Sequence, residues 1–405
     1  MEEAEKKQKI SELLSRGVEA IYPNREFLEK KLLSGEKLTI YLGMDPTAPT
    51  LHIGHMVPLL KLSEFQKLGH QIILLVGDFT ATIGDPDKMT VRVPLTAEQV
   101  LENAKLYKKQ VSKVIKFSGV NGAKLRYNSK WLSKLSLKDI LHILSNITHA
   151  QIIKRDMFQK RIAEGKDLYL HEFMYPVMQG YDSIVMGVDG EIGGNDQTFN
   201  MLVGRDLMKK LQNKEKFVIA TKLLVDNSGK KMSKTEGNMV ALNESAEQMF
   251  GHIMSWSDGL ILPGLELCTS FPIKNIEDIK IKLDKGMNPR DAKLILAEEI
   301  VKIYHNATTA KKAKKSFLSA FSDRETPDDA KEVVAYRGSL LSEALLSSGV
   351  VESKSDFRRL VEGGAIRNIE TDEKISDPFY KIENNLSLKI GKHRFVKIKP
   401  AEKTD

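Results

Sequence analysis

Apolar residues change their spacing several times along the first part of the chain. Leu38–Leu42 forms a short apolar segment, and Met56–Leu60 begins a stretch with helical spacing. Gln71–Gly77 is a continuous apolar run, which is typical of a strand buried on both faces of a parallel sheet. The order of strand, helix and strand over residues 37–85 therefore predicts the first half of a parallel sheet with helices packed on its faces.

Two capping boxes predict that helices follow this half of the sheet. Thr96–Gln99 and Ser136–Asp139 each place a hydroxyl residue three positions before a side chain that can return a hydrogen bond. We therefore expect a helical insertion over about residues 90–165. Apolar segments at Ser183–Asp189 and Phe217–Thr221 predict that the sheet then resumes.

The rest of the chain is predicted to be helical and then mixed. Helical spacing near residues 244–257, 288–306 and 309–322 is followed by a polar, proline-containing stretch at residues 322–329, the candidate linker. The predicted fold class is α/β, with three domains: a Rossmann-like parallel-sheet domain over residues 1–240, an α-helical domain over 241–325 and a small α+β domain over 338–400.

Charge and cysteine content narrow the possible classes of protein. The 405 residues carry a formal net charge of +8, which favours a polyanionic partner, although composition alone leaves ribosome, tRNA and membrane surface open. A single cysteine, Cys268, excludes an intramolecular disulfide and disfavours a cysteine-based zinc site. No apolar run approaches the ~20 residues of a membrane span, and the N-terminus lacks a signal-peptide pattern, so we expect a cytoplasmic protein.

Two short motifs far apart in the chain carry candidate chemistry. His52-Ile53-Gly54-His55 stands between a predicted strand and a helix N-terminus, where free backbone N–H groups and the helix dipole favour phosphate. The imidazoles can donate to phosphate oxygens, and the glycine lets a purine ring approach the backbone. Lys231-Met232-Ser233-Lys234-Thr235 places two ammonium groups in a polar stretch that can fold over a triphosphate. Together the motifs predict a site that binds ATP and promotes attack on its α-phosphate.

Each motif alone has an ordinary explanation, because His-x-x-His occurs by chance and most lysine-rich loops are only solvated. Their joint occurrence in this order resembles the two signature motifs of the class I aminoacyl-tRNA synthetases. The resemblance implies a Rossmann-like catalytic domain, ATP with Mg²⁺ as substrate, and no structural metal. Remote nucleotidyltransferases share the first motif but usually lack the lysine loop at this distance.

A third segment indicates which amino acid the site takes. On a helix, Tyr175, Gln179 and Asp182 stand at i, i+4 and i+7, so three polar side chains share one face. A solvent-exposed face more often carries Lys and Glu, so we interpret this face as the lining of a pocket. The segment resembles the signature of the tyrosyl-tRNA synthetase family, and the resemblance extends through Tyr41, Asp85 and residues 193–197.

This resemblance implies a role for each matching residue. Tyr41 and Asp182 would hydrogen-bond the phenol of L-tyrosine. The residues implied to surround its α-amino and carboxylate groups are Asp85, Tyr175, Gln179, Thr80 and Gln197. The residues implied to bind ATP are Asp45, Thr47, His52, Gly54, His55, Gly194 and Asp196. The side chains implied to stabilise departing pyrophosphate are Lys88, Arg92, Lys231 and Lys234.

The C-terminal region carries a helical pattern with Lys354, Arg358 and Arg359, then the pair Gly363-Gly364 and a short strand pattern. An ordinary amphipathic helix with a glycine C-cap is the alternative. The pattern resembles the S4-type RNA-binding module, which implies tRNA(Tyr) as partner. A second positive stripe follows in the tail, at Lys389, Lys392, Arg394, Lys397 and Lys399. The run at residues 311–315 is either a solvated face or an RNA contact.

None of these residues looks like a nucleophile or a general base. The resemblance therefore implies that the carboxylate of tyrosine attacks the α-phosphate and that the tyrosyl group then passes to the 3′ end of tRNA(Tyr). It also implies a homodimer with the helical insertion at its interface.

Three alternatives remain at this stage. Tryptophanyl-tRNA synthetases share both motifs, although Tyr41 paired with Asp182 suits a phenol better than an indole. An RNA-binding protein built on a synthetase scaffold and a generic adenylyltransferase are the others.

Overall fold

Two compact units make up the chain, Met1–Ala307 and Thr308–Asp405. The structure is a computed structural model that describes residues 3–85, 95–225, 239–321, 330–369, 371, 373–391 and 394–401. The three-domain division stays a prediction, and the candidate linker at residues 322–329 lies outside the described residues.

A six-stranded sheet lies at the centre of the first unit. Its strands are β1 (Val18–Tyr22), β2 (Thr39–Met44), β3 (Gln71–Val76), β4 (Lys124–Tyr127), β5 (Gly190–Gly194) and β6 (Phe217–Thr221), in the order β1-β6-β5-β2-β3-β4. Strand β1 runs antiparallel to β6, and the other neighbours are parallel. This confirms the predicted mixed α/β class with a parallel-strand sheet. The carboxyl ends of the parallel strands consequently meet at one edge.

Helices cover this sheet and extend the unit beyond it. They are α1 (Glu3–Leu13), α2 (Arg25–Leu33), α3 (Met56–Lys67), α4 (Thr80–Ile83), α5 (Ala97–Lys105), α6 (Tyr107–Val111), α7 (Ser129–Leu132), α8 (Leu137–Leu144), α9 (His149–Ile152), α10 (Asp156–Ala163), α11 (Leu170–Met186), α12 (Thr198–Gln212), α13 (Ala246–Met254), α14 (Ile261–Cys268), α15 (Ile273–Asp284) and α16 (Pro289–His305). Both predicted capping boxes are present, at Thr96 and Ser136. Among the described residues, every helix is too short or too polar to span a bilayer.

Two predictions of local structure are wrong. Ser183–Asp189 do not form a strand, because α11 continues to Met186 and β5 begins only at Gly190. A short apolar run fits a buried helix as well as a buried strand, and Gly187, with φ 58°, ends this helix in the left-handed region. The insertion at residues 90–165 is not wholly helical, because β4 pairs with β3 at the edge of the sheet.

Glycines let α11 and α12 approach each other closely. A Cβ atom on Gly180 would lie 3.1 Å from the Cα atom of Gly204, which is too close for a side chain without movement of the backbone. On α11, Tyr175 and Asp182 are both buried. The face predicted from sequence thus points into the protein.

The second unit has its own four-stranded sheet. Its strands are β7 (Lys331–Tyr336), β8 (Ile366–Asn368), β9 (Leu386–Ile390) and β10 (Arg394–Ala401), in the order β7-β10-β9-β8. Its helices are α17 (Ala307–Phe321), α18 (Leu341–Ser347) and α19 (Lys354–Glu362). Phe357 of α19 and Leu345 of α18 are buried in one apolar cluster with strand residues such as Ile390. The predicted helix, double glycine and short strand are therefore present.

Candidate active site

A cleft of about 550 Å³ opens at the carboxyl ends of β2, β5 and β6. All the predicted site residues that the structure describes line it, namely Tyr41, Asp45, Thr47, His52, Gly54, His55, Thr80, Asp85, Tyr175, Gln179, Asp182, Gly194, Asp196 and Gln197. Lys88, Arg92, Lys231 and Lys234 lie outside the described residues. Residues separated by up to 156 positions in the sequence, Tyr41 to Gln197, thus meet in one place.

The two histidines of the first motif are held by the backbone around them. The Nδ1 atom of His52 accepts from the N–H of Gly54 at 3.2 Å, and the Nδ1 atom of His55 accepts from the N–H of His52 at 3.1 Å. A neutral imidazole whose Nδ1 accepts carries its hydrogen on Nε2. Both rings therefore have an Nε2–H donor, and their centroids lie 3.8 Å apart.

Burial and the neighbouring ring lower the pKa of His55 to about 3. The imidazole of His55 is therefore neutral at physiological pH. A neutral donor costs less free energy to bury than an imidazolium, and it can still hydrogen-bond a phosphate oxygen.

The chain on either side of the lysine motif is fixed at this cleft. Backbone hydrogen bonds join Ile53 N–H to the carbonyl of Val240 at 3.0 Å and Leu242 N–H to the carbonyl of Leu51 at 2.9 Å. On the other side, Lys222, Leu223 and Leu224 line the cleft. The described residues before the lysine motif therefore line the cleft, and those after it pair with the backbone of the histidine motif.

At one end of the cleft, Tyr41 and Asp182 are both buried among polar groups. The hydroxyl of Tyr41 lies 2.9 Å from the hydroxyl of Ser183. Asp182 accepts hydrogen bonds from Trp131 Nε1 at 2.7 Å and from Asn128 Nδ2 at 3.2 Å. Burial raises the pKa of Asp182, and the two N–H donors oppose that rise because they stabilise the carboxylate.

Asn128 and Trp131 were not predicted as site residues. Both follow β4, the strand that lies within the predicted helical insertion. If residues 124–127 had been assigned to the sheet, Asn128 and Trp131 would have been expected at its carboxyl edge, beside Asp182.

A second polar cluster surrounds Asp45. Its carboxylate accepts from the hydroxyl of Tyr175 at 2.9 Å and from the hydroxyl of Thr80 at 2.8 Å. Gly77 makes room for it, since a Cβ atom there would lie 2.0 Å from Oδ1 of Asp45. Asp45, predicted as an ATP residue, therefore also orients Tyr175 of the predicted amino-group site.

Asp85 lies in a third cluster with a cation. Arg155 Nη2 donates to its Oδ1 at 2.6 Å, and Gln197 Nε2 donates to its Oδ2 at 2.8 Å. Gln197 is oriented in turn by Asn200, which donates to its Oε1 at 3.0 Å. Arg155 and Asn200 carry no motif of their own, so the sequence had no signal for them.

A buried ion pair lies at the wall of the cleft, and one of its two residues lines the cleft. Glu191 and Lys216 form it, with exposed side-chain fractions of 2% and 0%. Glu191 Oε1 also accepts from Gln179 Nε2 at 2.9 Å, and Lys216 Nζ donates to the hydroxyl of Ser183 at 2.9 Å. Burial lowers the pKa of Lys216, and the charge of Glu191 opposes that shift.

Comparison with known proteins places this site in a family. A model described as tRNA synthetases class I (W and Y) matches residues 33–322. The C-terminally truncated mitochondrial tyrosyl-tRNA synthetase of Aspergillus nidulans has a similar fold, with a TM-score of 0.64 at 23% identity over 79% of this chain and 99% of that one. The chain belongs to the class I tRNA synthetases for tryptophan and tyrosine.

Relatives with higher sequence identity distinguish the tyrosine enzymes from the tryptophan enzymes. The tyrosine–tRNA ligase of Carboxydothermus hydrogenoformans is 42% identical over 402 residues, which cover 96% of this chain and 97% of that protein. The tyrosine–tRNA ligase of Haemophilus ducreyi is 40% identical over 95% of this chain and 96% of that protein. These relatives place the chain with the bacterial tyrosyl-tRNA synthetases, as the motifs predict.

The neutral state of His55 predicts how stability depends on pH. The pKa of His55 is about 3 in the folded chain against 6.5 as the ordinary value, so below that ordinary value the unfolded chain binds more protons than the folded one. Stability should therefore fall as pH falls from about 6.5 towards 3, by up to ~1.4 kcal/mol per pH unit from this group. His55→Gln keeps an acceptor for His52 and should remove that contribution.

Urea unfolding followed by tryptophan fluorescence tests this, because Trp131 and Trp256 both lie in the first unit. Between about pH 7 and about pH 5, the unmodified chain should lose roughly 2 kcal/mol more stability than His55→Gln. The exposed His142, changed to Gln, serves as the control. Equal losses in the unmodified chain and His55→Gln would contradict the prediction.

Proposed function

We propose that the chain attaches L-tyrosine to tRNA(Tyr) in two steps, with ATP as the second substrate. The observation that carries the proposal is the single cleft that holds the Tyr41–Asp182 end and the His52–His55 end together. A phenol fits the first end, since a buried hydroxyl and a buried carboxylate can each form a hydrogen bond with the hydroxyl of a phenol. A phosphate fits the second end, where two imidazoles each have an Nε2–H donor.

The first step is formation of tyrosyl adenylate. The carboxylate oxygen of tyrosine forms a bond to the α-phosphorus of ATP, and the bond from that phosphorus to the bridging oxygen of pyrophosphate breaks. No protein nucleophile is needed, so the residues act by positioning and by stabilising charge. Thr47, His52 and His55 contact phosphate oxygens, Gly54 lies under adenine, and Gly194 and Asp196 hold the ribose.

Lysine and arginine side chains complete this step. Lys231 and Lys234, with Lys88 and Arg92, neutralise the departing pyrophosphate. Anchoring of residues 240–242 beside the histidine motif supports the placement of the first two.

The amino group of tyrosine binds among carboxylates. Asp85, Tyr175 and Gln179 contact the ammonium, and Thr80 and Gln197 complete its surroundings. Asp85 is already paired with Arg155, so its charge is partly neutralised before substrate binds. The site therefore keeps one residue set for the ammonium and another for the phenol.

Mg²⁺ accompanies ATP in this proposal as the counter-ion of its phosphates. Within the described residues, no group of three or more His, Cys, Asp or Glu side chains is placed to hold a metal ion. We therefore assign the ion no protein ligand. A cytoplasmic location likewise follows only from the proposed role in translation.

Tyrosine-dependent exchange of labelled pyrophosphate into ATP tests the first step. All twenty amino acids are compared without tRNA, and we expect exchange with tyrosine. Asp182→Asn should lower kcat/KM for tyrosine by about a hundredfold or more, because a buried site built for a phenol loses its charged acceptor. The exposed Asp258, changed to Asn, is the control. Exchange with tryptophan instead, or an unchanged kcat/KM in Asp182→Asn, would contradict the assignment of this cleft to tyrosine.

The second unit is proposed as an S4-like domain that binds tRNA(Tyr). Lys354 and Arg359 of α19 have exposed side-chain fractions of 65% and 81%. β10 adds Lys397 and Lys399, so a helix and a strand of the same unit both carry basic side chains. Basic side chains on a small α+β unit favour contact with an RNA backbone.

Removing two of these charges should weaken tRNA binding without slowing adenylate formation. Lys354→Gln with Arg358→Gln should lower the slope of log affinity against log salt by about 1 to 2, because fewer counter-ions are released. Lys274→Gln with Lys280→Gln, in α15 of the first unit, is the matched control. An unchanged slope, or equal loss of adenylate formation, would contradict the proposed role.

A homodimer through the insertion is the remaining part of the proposal. Leu137, Leu141 and Leu170 are 71%, 58% and 84% exposed, and the first two lie one turn apart on α8. Exposed apolar side chains on one face of a helix, as at Leu137 and Leu141, are typical of an interface.

Sedimentation velocity tests the dimer. The unmodified chain should sediment at twice its 45.6 kDa mass, and Leu141→Glu should shift it towards the monomer because a buried charge opposes association. The matched control is Ile281→Glu on α15, outside the insertion, where the isoleucine is 51% exposed. A monomeric unmodified chain would exclude the proposal.

A further inference from the structure

We propose that the buried Glu191–Lys216 ion pair sets the direction of the hydrogen bonds at both ends of the tyrosine pocket, so that both residues act as positioning residues for substrate choice. The inference rests on the proposed function, in which Tyr41 and Gln179 contact tyrosine. Lys216 acts through Ser183, whose hydroxyl touches that of Tyr41. Glu191 lines the cleft itself, where it accepts from Gln179 and its charge also acts on Tyr41.

Lys216 fixes the role of Ser183. The ammonium of Lys216 is a donor only, so the hydroxyl oxygen of Ser183, 2.9 Å away, must accept from it. Gly204 provides the space, since a Cβ atom there would lie 2.7 Å from Nζ of Lys216. The other side of the ammonium meets the carboxylate of Glu191. The cation is thus held in one position, pointing at one hydroxyl.

At the phenol end, the acceptor is Asp182. Each of its carboxylate oxygens already accepts an N–H, from Trp131 or from Asn128, as an ionised carboxylate does. A bound phenol would donate its own hydrogen to this carboxylate. Its oxygen would then accept from the hydroxyl of Tyr41, and the oxygen of Tyr41 would accept from Ser183.

Every hydrogen bond in this series then has the same direction from donor to acceptor. It runs from the ammonium of Lys216 through Ser183, Tyr41 and the substrate phenol to Asp182. Hydrogen bonds aligned head to tail strengthen one another in a site of low dielectric constant. Phenylalanine would interrupt this series of hydrogen bonds in its middle, because its ring can neither accept from the hydroxyl of Tyr41 nor donate to Asp182.

At the amino end, Glu191 fixes the amide of Gln179. A carboxylate only accepts, so the NH₂ group of Gln179 must face Glu191, and the two atoms lie 2.9 Å apart. The carbonyl oxygen of Gln179 is then turned away from Glu191. An oxygen in that position can accept from the ammonium of an amino acid, whereas an NH₂ group would repel it.

A double-mutant cycle tests the phenol end. Ser183→Ala, Tyr41→Phe and the double variant are compared by pyrophosphate exchange with tyrosine and with phenylalanine. Ser183→Ala should lower the ratio of kcat/KM for tyrosine over phenylalanine by about tenfold in the unmodified chain and by less than about twofold in Tyr41→Phe, because it acts through the Tyr41 hydroxyl. KM for ATP should stay unchanged.

Two outcomes would overturn the inference. Either Ser183→Ala leaves the ratio unchanged, or it lowers the ratio by the same factor in both backgrounds, as a general packing defect would. Absence of tyrosine-dependent exchange in the unmodified chain would instead refute the proposed function, so the two failures are distinguishable.

A second comparison tests the ion pair itself. Lys216→Met keeps most of the volume and removes the donor, so it should reproduce the loss of selectivity seen in Ser183→Ala. Lys209→Met, at a site 64% exposed on the neighbouring helix, is the matched control and should leave the ratio unchanged. A folded Lys216→Met with unchanged selectivity would overturn the proposal. If tryptophan fluorescence shows that this variant does not fold, the double-mutant cycle decides.

Discussion

Polar side chains buried at the carboxyl ends of the parallel strands must keep hydrogen-bond partners, and this requirement organises the cleft. Asp45, Asp182 and Glu191 each accept hydrogen bonds from two side chains that are distant from them in the sequence. A buried carboxylate without such partners would cost several kcal/mol. The strands, α11 and the segment after β4 are therefore tied together by the same contacts that shape the site.

Space for these contacts depends on glycine at a few positions. A Cβ atom at Gly77 would collide with Asp45, and one at Gly190 would lie 2.0 Å from the ring of Phe217. Gly180 and Gly204 let α11 and α12 meet closely and leave room for the ammonium of Lys216. Small residues thus allow polar side chains to occupy positions that apolar packing would otherwise fill.

The two ends of the cleft differ in the charge of their side chains. The histidine end is neutral, because burial keeps His55 unprotonated and its backbone hydrogen bond leaves the hydrogen on Nε2. The other end contains carboxylates balanced in part by Arg155 and Lys216. In the proposed function, the Nε2–H donors of the two histidines meet the phosphates of the nucleotide, and the carboxylates meet the ammonium group of tyrosine.

The local sequence determined those helices and strands whose sequence patterns lie within a few neighbouring residues. The capping boxes at Thr96 and Ser136, the strands β3 and β6, and the polar face of α11 could all be predicted because neighbouring residues define them. The histidine motif and the tyrosine-family residues were also identifiable. Their convergence in one cleft follows from a parallel sheet, whose strands end at a common edge.

Tertiary structure decided those features that depend on contacts between residues far apart in the sequence. The run at residues 183–189 could be a helix or a strand until the packing of α11 on α12 fixed it, and β4 becomes a strand only because β3 pairs with it. Asn128, Trp131, Arg155, Glu191 and Lys216 look like ordinary polar residues in the sequence. Each becomes part of the site because a residue far along the chain supplies the partner that its buried polar group requires.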